Sequence, residues 1–318
     1  MYNYIVIGAG IYGKIMAYLL SKTTKKVLII DKKAKNNNKL DNIFISFKDY
    51  QELENLLNLS LNPIIDKRIN NIIVNNINID INALLINSRK LDNILLDLLN
   101  KNNVQIIYKV TPQKYDFKNN KITIKNKEYR YQYLVGADGT LSEVRMNMTH
   151  KIQRFKFVLK IKENKIKQNY ILNYNLKNKV SEKIIPTANS NLIYIINEHK
   201  KNKAFKSYDK LKKQYGFKSN VKSAFFLPDN DILFKINNIF FIGDANGMID
   251  DLNYCTFHYQ LLYIKSLINY FKYETKIDYR KLTYEIYYRK FINQSMFLPI
   301  ISKFFLKLVI KQLKEDLC

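Results

Sequence analysis

Residues 2–31 read YNYIVIGAGIYGKIMAYLLSKTTKKVLIID, and this stretch decides the fold. The pattern predicts a buried strand over Tyr4–Ile7, a glycine-rich turn, an apolar helix, and a second buried strand over Val27–Ile30 that ends at Asp31. The turn, GAGIYG, matches G-x-G-x-x-G, in which the glycines serve the tight turn, the approach of a pyrophosphate and close helix–strand packing. The start of the helix also offers free N–H groups to an anion.

An acid at the end of the second strand can accept hydrogen bonds from ribose hydroxyls and disfavours a 2′-phosphate. We therefore predict a dinucleotide site at this turn, formed by Gly8, Gly10, Gly13 and Asp31. A chance glycine-rich turn is the alternative, but strand, helix, second strand and acid all occur in order.

The chain has only eight glycines, and seven of them lie in three clusters. The second cluster is YRYQYLVGADGTLSEVR at 129–145, which predicts a strand end, a turn around Asp138 and a helix that begins near Ser142. The third, NIFFIGDANGMIDDLNYCTF at 238–257, predicts an apolar strand, a sharp turn containing Gly243, Asp244 and Gly247, and a helix from about Thr256. Read alone, each could be an ordinary strand–turn–helix.

In this order and spacing the three clusters resemble the FAD-dependent hydroxylase and geranylgeranyl reductase superfamily. That group shows GxGxxG near its N-terminus, GADGxxSxVR in mid-chain and GDAAG late in the chain, and GADGTLSEVR matches the middle motif at every fixed position. Residues 86–110, INSRKLDNILLDLLNKNNVQIIYKV, resemble the family's Arg-containing helix.

The resemblance implies FAD as cofactor, with NAD(P)H as an external reductant. It implies that Gly8, Gly10 and Gly13 line the pyrophosphate, that Asp31 binds the adenosine ribose and that Arg89 approaches the pyrophosphate. Asp138 would belong to a motif shared by FAD and NAD(P)H, and Asp244, between Gly243 and Gly247, would bind the ribityl chain. No residue is assigned as catalytic; His258 is a candidate acid or base only because it follows the flavin loop.

The third cluster departs from the family pattern. Where the reductases carry a proline and two glycines, this chain has Asp251, Tyr254 and Thr256. Larger residues would narrow the space beside an isoalloxazine ring.

The function expected from the resemblance is an FAD-dependent oxidoreductase of reductase or monooxygenase type, acting on a hydrophobic, prenyl-like or aromatic small molecule. The alternatives are a degenerate dinucleotide-binding protein without flavin turnover and a flavin-dependent halogenase-like enzyme, although the chain has no Trp for the halogenases' Trp-containing motif.

The expected fold is α/β. It consists of a Rossmann-like FAD-binding domain (residues 1–150 and 225–258), a small antiparallel β-sheet substrate domain (151–224) and a C-terminal helical region (259–318). Within this scheme, residues 32–49 are predicted to be a polar loop and residues 125–128 a hairpin turn. The Asn-rich run NNIIVNNINIDIN (70–82) is attributed to compositional drift.

Composition narrows the function classes. The net charge is +26, but of the 53 basic residues only seven are Arg, so the excess of Lys reads as drift and no specific nucleic-acid site is predicted. Two Cys and three scattered His exclude a disulfide scaffold and argue against a Cys-rich or His-rich metal centre. With no signal peptide or apolar span visible, the expected location is the cytoplasm. The stretch 285–317 alternates apolar residues with Lys, which indicates a helix packed on the core or, alternatively, a basic helix in peripheral contact with a membrane.

Overall fold

The computed structural model describes residues 1–23, 26–35, 42–151, 155–164, 170–175, 180–187, 190–197, 201–219, 223–228, 231–248, 257–296 and 302–317. The described strands are β1 (Tyr2–Ile7), β2 (Val27–Asp31), β3 (Ile43–Ser46), β4 (Ile65–Val74), β5 (Ile77–Ile86), β6 (Gln105–Tyr108), β7 (Lys114–Asp116), β8 (Lys121–Ile124), β9 (Lys127–Gly136), β10 (Phe155–Asn164), β11 (Tyr170–Asn175), β12 (Val180–Pro186), β13 (Ser190–Asn197), β14 (Ser223–Pro228), β15 (Lys235–Ile236) and β16 (Ile239–Phe241). The described α-helices are α1 (Ile11–Ser21), α2 (Phe47–Leu57), α3 (Ser88–Lys101), α4 (Glu143–Thr149), α5 (Lys201–Tyr215), α6 (Phe257–Tyr273), α7 (Tyr279–Met296) and α8 (Ser302–Leu317).

The first sheet has the order β15-β16-β9-β1-β2-β6, and its five strands from β16 to β6 are parallel. One face packs against apolar residues of α1, α3 and α6, and the other against the β7–β8 hairpin and Val144 of α4. Burial on both faces explains why β1, β2 and β16 are near-continuous apolar runs. The predicted Rossmann-like α/β layer is confirmed.

The second sheet has the order β14-β10-β13-β12-β11-β4-β5-β3. One face packs against α5 through Ala204, Tyr208 and Leu211. The other packs against Val309 and Leu313 of α8. These two α8 residues are fully buried, so the described apolar side of the C-terminal helix packs on the protein, while Lys307, Lys311 and Lys314 are exposed.

The second sheet is larger than the sequence suggested, because β3, β4 and β5 belong to it. Those strands lie within residues 1–150, which the sequence analysis placed wholly in the FAD-binding domain. The Asn-rich run attributed to drift is the β4–β5 hairpin. Its turn residues Asn75 and Asn76 have φ of +45° and +69°, a conformation that Asn tolerates and that tight two-residue hairpins need.

The segment predicted as a loop over 32–49 also contains regular structure, since β3 and the start of α2 lie there. Ser46 begins α2 by accepting a hydrogen bond from the Asp49 N–H at 3.0 Å, which is an ordinary helix cap. By contrast, the predicted hairpin turn at 125–128 is confirmed: Lys125 and Asn126 join β8 to β9, both with positive φ.

Candidate dinucleotide site

The GAGIYG turn connects β1 to α1 and has little free space at two of its three glycines. Gly8 has φ of +109°, and a Cβ placed there would lie 2.2 Å from the Ala137 carbonyl oxygen. A Cβ on Gly13 would lie 2.1 Å from the Gly8 carbonyl oxygen. A Cβ on Gly10, at the N-cap of α1, would meet no atom within 4 Å. Gly8 and Gly13 are therefore required by protein packing, whereas Gly10 borders open space at the start of α1, where an anion is favoured.

Asp31 lies at the carboxyl end of β2, directly beside this turn. Its Oδ2 accepts the Ala9 N–H at 2.5 Å and its Oδ1 accepts the Lys33 N–H at 2.6 Å. The residue is 8% exposed. Because each carboxylate oxygen can accept more than one hydrogen bond, Asp31 can hold the turn and still accept from a ribose hydroxyl.

A cleft of about 150 Å³ opens between the ends of the parallel strands. Its lining combines the glycine turn and Asp31 with an apolar wall and the second motif: Ile7, Gly8, Gly10, Ile30, Asp31, Lys32, Lys33, Val110, Thr111, Pro112, Ala137, Asp138, Gly139 and Glu143. Ligands of open α/β sheets bind at this place, beyond the carboxyl ends of the strands. An apolar wall beside a carboxylate and a helix N-terminus suits the base, ribose and phosphate of an adenosine diphosphate group.

Asp138 reaches this cleft but also holds α4. Its Oδ1 accepts from the Ser142 hydroxyl at 2.5 Å, and its Oδ2 accepts from the N–H groups of Glu143 and Val144 at 2.7 and 3.2 Å. Burial raises the pKa of the Asp138 carboxyl to about 6, although these hydrogen bonds oppose the shift. The second motif therefore has a structural role that its sequence pattern did not reveal.

Two residues of the second motif hold the third motif in place. The Arg145 guanidinium is buried and donates to the carbonyl oxygens of Ala245 at 3.2 Å and Asp231 at 2.5 Å. The Thr140 hydroxyl lies 3.1 Å from Asp244 Oδ2. Neither role was predicted from the sequence, because the contacts join positions about a hundred residues apart.

The GDANG turn follows β16 and is shaped by α6. Gly243 and Gly247 have φ of +62° and +76°. Gln260 of α6 accepts the Gly243 N–H at 2.8 Å and donates back to the Gly243 carbonyl at 3.2 Å. Burial raises the pKa of the Asp244 carboxyl, and the hydrogen bond from Thr140 lowers it.

Tyr12 of the first motif lies against the third motif. A Cβ on Gly243 would lie 2.9 Å from Tyr12 Cδ2, and the Tyr12 ring is 5.7 Å from the ring of Phe257 at the start of α6. The first and third motifs are thus in direct contact, and an aromatic side chain occupies the junction between them.

Arg89 lies in the first turn of α3, and α3 packs alongside α1. The side chain is exposed, and among the described residues its guanidinium has no hydrogen-bond or ion-pair partner. It is therefore available to a ligand, but the structure does not join it to the cleft.

His258 is paired with a carboxylate. Its Nδ1 lies 2.5 Å from Asp49 Oδ1, and the second oxygen of Asp49 accepts from Ser46 Oγ at 2.7 Å. This contact ties α6 to the first turn of α2, so His258 has a structural role there. Asp251, Tyr254, Cys255 and Thr256, on which the expectation of a narrowed flavin pocket rests, lie outside the described residues.

Comparisons with known proteins bear on the fold. A family model described as an NAD(P)-binding Rossmann-like domain matches residues 6–36. A probable FAD-dependent monooxygenase from Pseudomonas aeruginosa, PqsL, superposes with a TM-score of 0.73 and 11% identity, over 98% of this chain and 99% of that one. The chain shares its fold. No curated protein matches the sequence.

Two further solved structures are similar. A geranylgeranyl bacteriochlorophyll reductase-like protein from Thermoplasma acidophilum gives a TM-score of 0.72 at 13% identity, over 97% of this chain and 90% of that one. The halogenase PltM gives 0.67 at 12% identity, over 93% and 75%. The resemblance stated from the motifs is confirmed at the level of the fold, in which both sheets take part.

The described residues contain no group of three or more His, Cys, Asp and Glu side chains placed to hold a metal ion. No helix within the described ranges has the length and apolarity that a membrane span requires.

Proposed function

We propose that this chain is an FAD-dependent oxidoreductase of reductase or monooxygenase type. The observation that supports it most is the convergence of three motifs, distant in sequence, at one edge of the parallel sheet. The first and second motifs line the cleft, and Thr140 and Arg145 tie the second to the third. FAD would supply hydride and electron transfer through its isoalloxazine ring.

In this proposal the protein binds and orients the cofactor. The open space beside Gly10 and the first turn of α1 would accept the pyrophosphate, and Asp31 the adenosine ribose. Asp244, with Gly243 and Gly247 shaping its turn, would accept from ribityl hydroxyls, and Asp138 would hold α4 at the cleft. Arg89 is carried over from the resemblance as a pyrophosphate contact.

The proposed substrate is a hydrophobic, prenyl-like or aromatic small molecule, and the proposed external reductant is NAD(P)H. Both follow from the resemblance and the fold class. We place the protein in the cytoplasm, without a specific nucleic-acid partner. Peripheral membrane contact is proposed through the C-terminal basic helix, in which Lys307, Lys311 and Lys314 of α8 are exposed.

The decisive experiment is identification of the bound nucleotide. The purified protein is heated, the released small molecules are separated by chromatography, and their spectra are compared with FAD. The protein is then reconstituted with FAD, and reduction by NADH and NADPH is followed without oxygen. FAD that is retained and reduced supports the proposal. Oxygen uptake with a substrate would identify a monooxygenase, and oxygen-independent reoxidation by a substrate a reductase.

A dinucleotide-binding protein without flavin turnover is the second candidate. The Tyr12 ring at the junction of the first and third motifs favours it, since it occupies space between an adenosine-half site and the third motif. Retention of ADP without FAD would select this candidate. A halogenase-like activity would instead require halide incorporation into an aromatic substrate.

A further inference from the structure

The hydroxyl of Thr140 lies between two acceptors that belong to different parts of the molecule. Oγ1 is 3.1 Å from Asp244 Oδ2 in the third motif and 3.0 Å from the Phe226 carbonyl oxygen in β14. β14 is the edge strand of the second sheet. A hydroxyl has a single proton, so it can donate fully to only one of these acceptors at a time.

The ionisation of Asp244 decides which acceptor receives that proton. When Asp244 is ionised, donation to its carboxylate is the stronger bond because the acceptor is charged. When Asp244 is protonated, the carboxyl can donate to Thr140 Oγ1, and Thr140 then donates to Phe226. Oδ1 of Asp244 has no hydrogen-bond partner among the described residues, so it keeps the capacity to accept from a ligand hydroxyl.

We propose that Thr140 is a positioning residue for Asp244: it holds Oδ2 and maintains the ionised carboxylate, leaving Oδ1 to accept from a hydroxyl of the ligand. This inference rests on the proposed function, because it takes Asp244 to be a cofactor contact. Thr140 occupies a variable position of the second motif, so the motif itself gives no role to this residue.

The surroundings of Asp244 give Thr140 this importance. From α4, Arg145 donates to the neighbouring Ala245 carbonyl. From α1, Tyr12 packs against Gly243, and from α6 the neutral Gln260 binds the same glycine. Among the described side chains, Thr140 alone donates to the Asp244 carboxylate, and burial raises the pKa of that carboxyl.

The first test needs no cofactor. The carboxyl of Asp244 is titrated in the apo-protein by infrared difference spectroscopy, with Asp244→Asn identifying its band. Thr140→Val should raise the titration midpoint, because the ionised form loses its donor, and Thr140→Ser should restore it. Thr149→Val is the matched control, since the Thr149 hydroxyl donates to the Arg145 carbonyl at 2.9 Å. Thr140→Ala replaces the valine variant if that variant fails to fold.

The second test compares FAD with ADP by titration calorimetry across the pH range. ADP lacks the ribityl chain, so Thr140→Val should weaken FAD binding about tenfold while ADP affinity is unchanged. The pH at which FAD affinity falls should also move upward in this variant.

The outcomes separate the two claims. If the wild-type protein binds ADP but no FAD, the proposed function fails, and the apo-protein titration still decides the role of Thr140. If Asp244→Asn weakens FAD while Thr140→Val changes neither FAD affinity nor the titration midpoint, the positioning role is wrong and the proposed function stands.

Discussion

At the scale of single residues, Gly10 and Gly13 belong to the same turn but have different surroundings. A side chain on Gly10 would enter open space, whereas one on Gly13 would collide with the Gly8 carbonyl. Substitution of Gly13 therefore tests packing of the turn, and substitution of Gly10 tests binding of the ligand.

We expect Gly10→Val to abolish nucleotide retention while changing the unfolding free energy by less than about 1 kcal/mol. Gly13→Val should lower the unfolding free energy by about 1–3 kcal/mol or more, because backbone must move to make room. Urea denaturation gives the stabilities, and chromatography of the heat-released nucleotide gives the retention. Full retention in a folded Gly10→Val protein would place the pyrophosphate elsewhere.

Asp138 also acts at the residue scale, through its titration. Its folded pKa of about 6 lies above the ordinary pKa of an aspartate, so the folded state binds a proton more tightly than the unfolded state. This contribution to stability is present below the unfolded pKa and is lost as the pH rises through the folded pKa.

We therefore expect the unfolding free energy of the wild type, relative to Asp138→Asn, to fall between about pH 4 and pH 6 and to level off above. Denaturation at a series of pH values measures this difference. A difference that stays constant across the range would mean that Asp138 titrates at an ordinary pKa. Ser142→Ala serves as the control, since it removes one hydrogen bond to Asp138 and should raise the midpoint.

At the scale of elements, a buried ion pair joins α1 to α3. Lys14 Nζ contacts Asp92 Oδ1, and the two residues are 1% and 8% exposed. Burial lowers the pKa of Lys14, and Asp92 opposes that shift.

Removing one partner of the ion pair should lower the unfolding free energy. Asp92→Leu leaves a buried lysine without its partner and should lower the unfolding free energy by about 3–5 kcal/mol. The double variant Lys14→Met with Asp92→Leu should recover most of that loss, since both charges are then removed. Urea denaturation of the wild type, both single variants and the double variant forms the full cycle. A double variant as unstable as Asp92→Leu would show that the ion pair itself is required.

At the scale of the whole molecule, Arg145 joins three chain segments. Arg145 lies in α4, and its two terminal nitrogens donate hydrogen bonds to the carbonyl oxygens of Asp231 and Ala245. These contacts hold the third motif against the second, together with the hydrogen bond between Thr140 and Asp244.

We expect Arg145→Met to lower the unfolding free energy by roughly 1.5–3 kcal/mol for each hydrogen bond lost and to weaken FAD more than ADP. Arg145→Lys should recover little, because an ammonium does not present the planar fork that reaches both carbonyls. Calorimetry with both nucleotides and urea denaturation measure the two effects. Equal weakening of FAD and ADP would show that Arg145 acts through general stability alone.

Local patterns were sufficient for much of the fold. Short-range periodicity and turn chemistry predict the strand, turn and helix around Gly8, the hairpin at 125–128 and helix α3. The extent of the second sheet did not follow, because the β4–β5 run is rich in Asn and resembles a low-complexity segment. Its alternation and its two-residue Asn turn were present in the sequence, but compositional bias concealed them.

The sequence alone determined the α/β class, the dinucleotide turn and the three-motif resemblance, because these depend on residues close together in the chain. Only the tertiary structure decided which side chains hold the motifs together: Thr140 on Asp244, Arg145 on Ala245, and Tyr12 against Gly243. It also decided that β3, β4 and β5 complete the second sheet. The physical reason is that hydrogen bonds and packing between distant segments depend on how the chain folds back on itself, and no local pattern records that path.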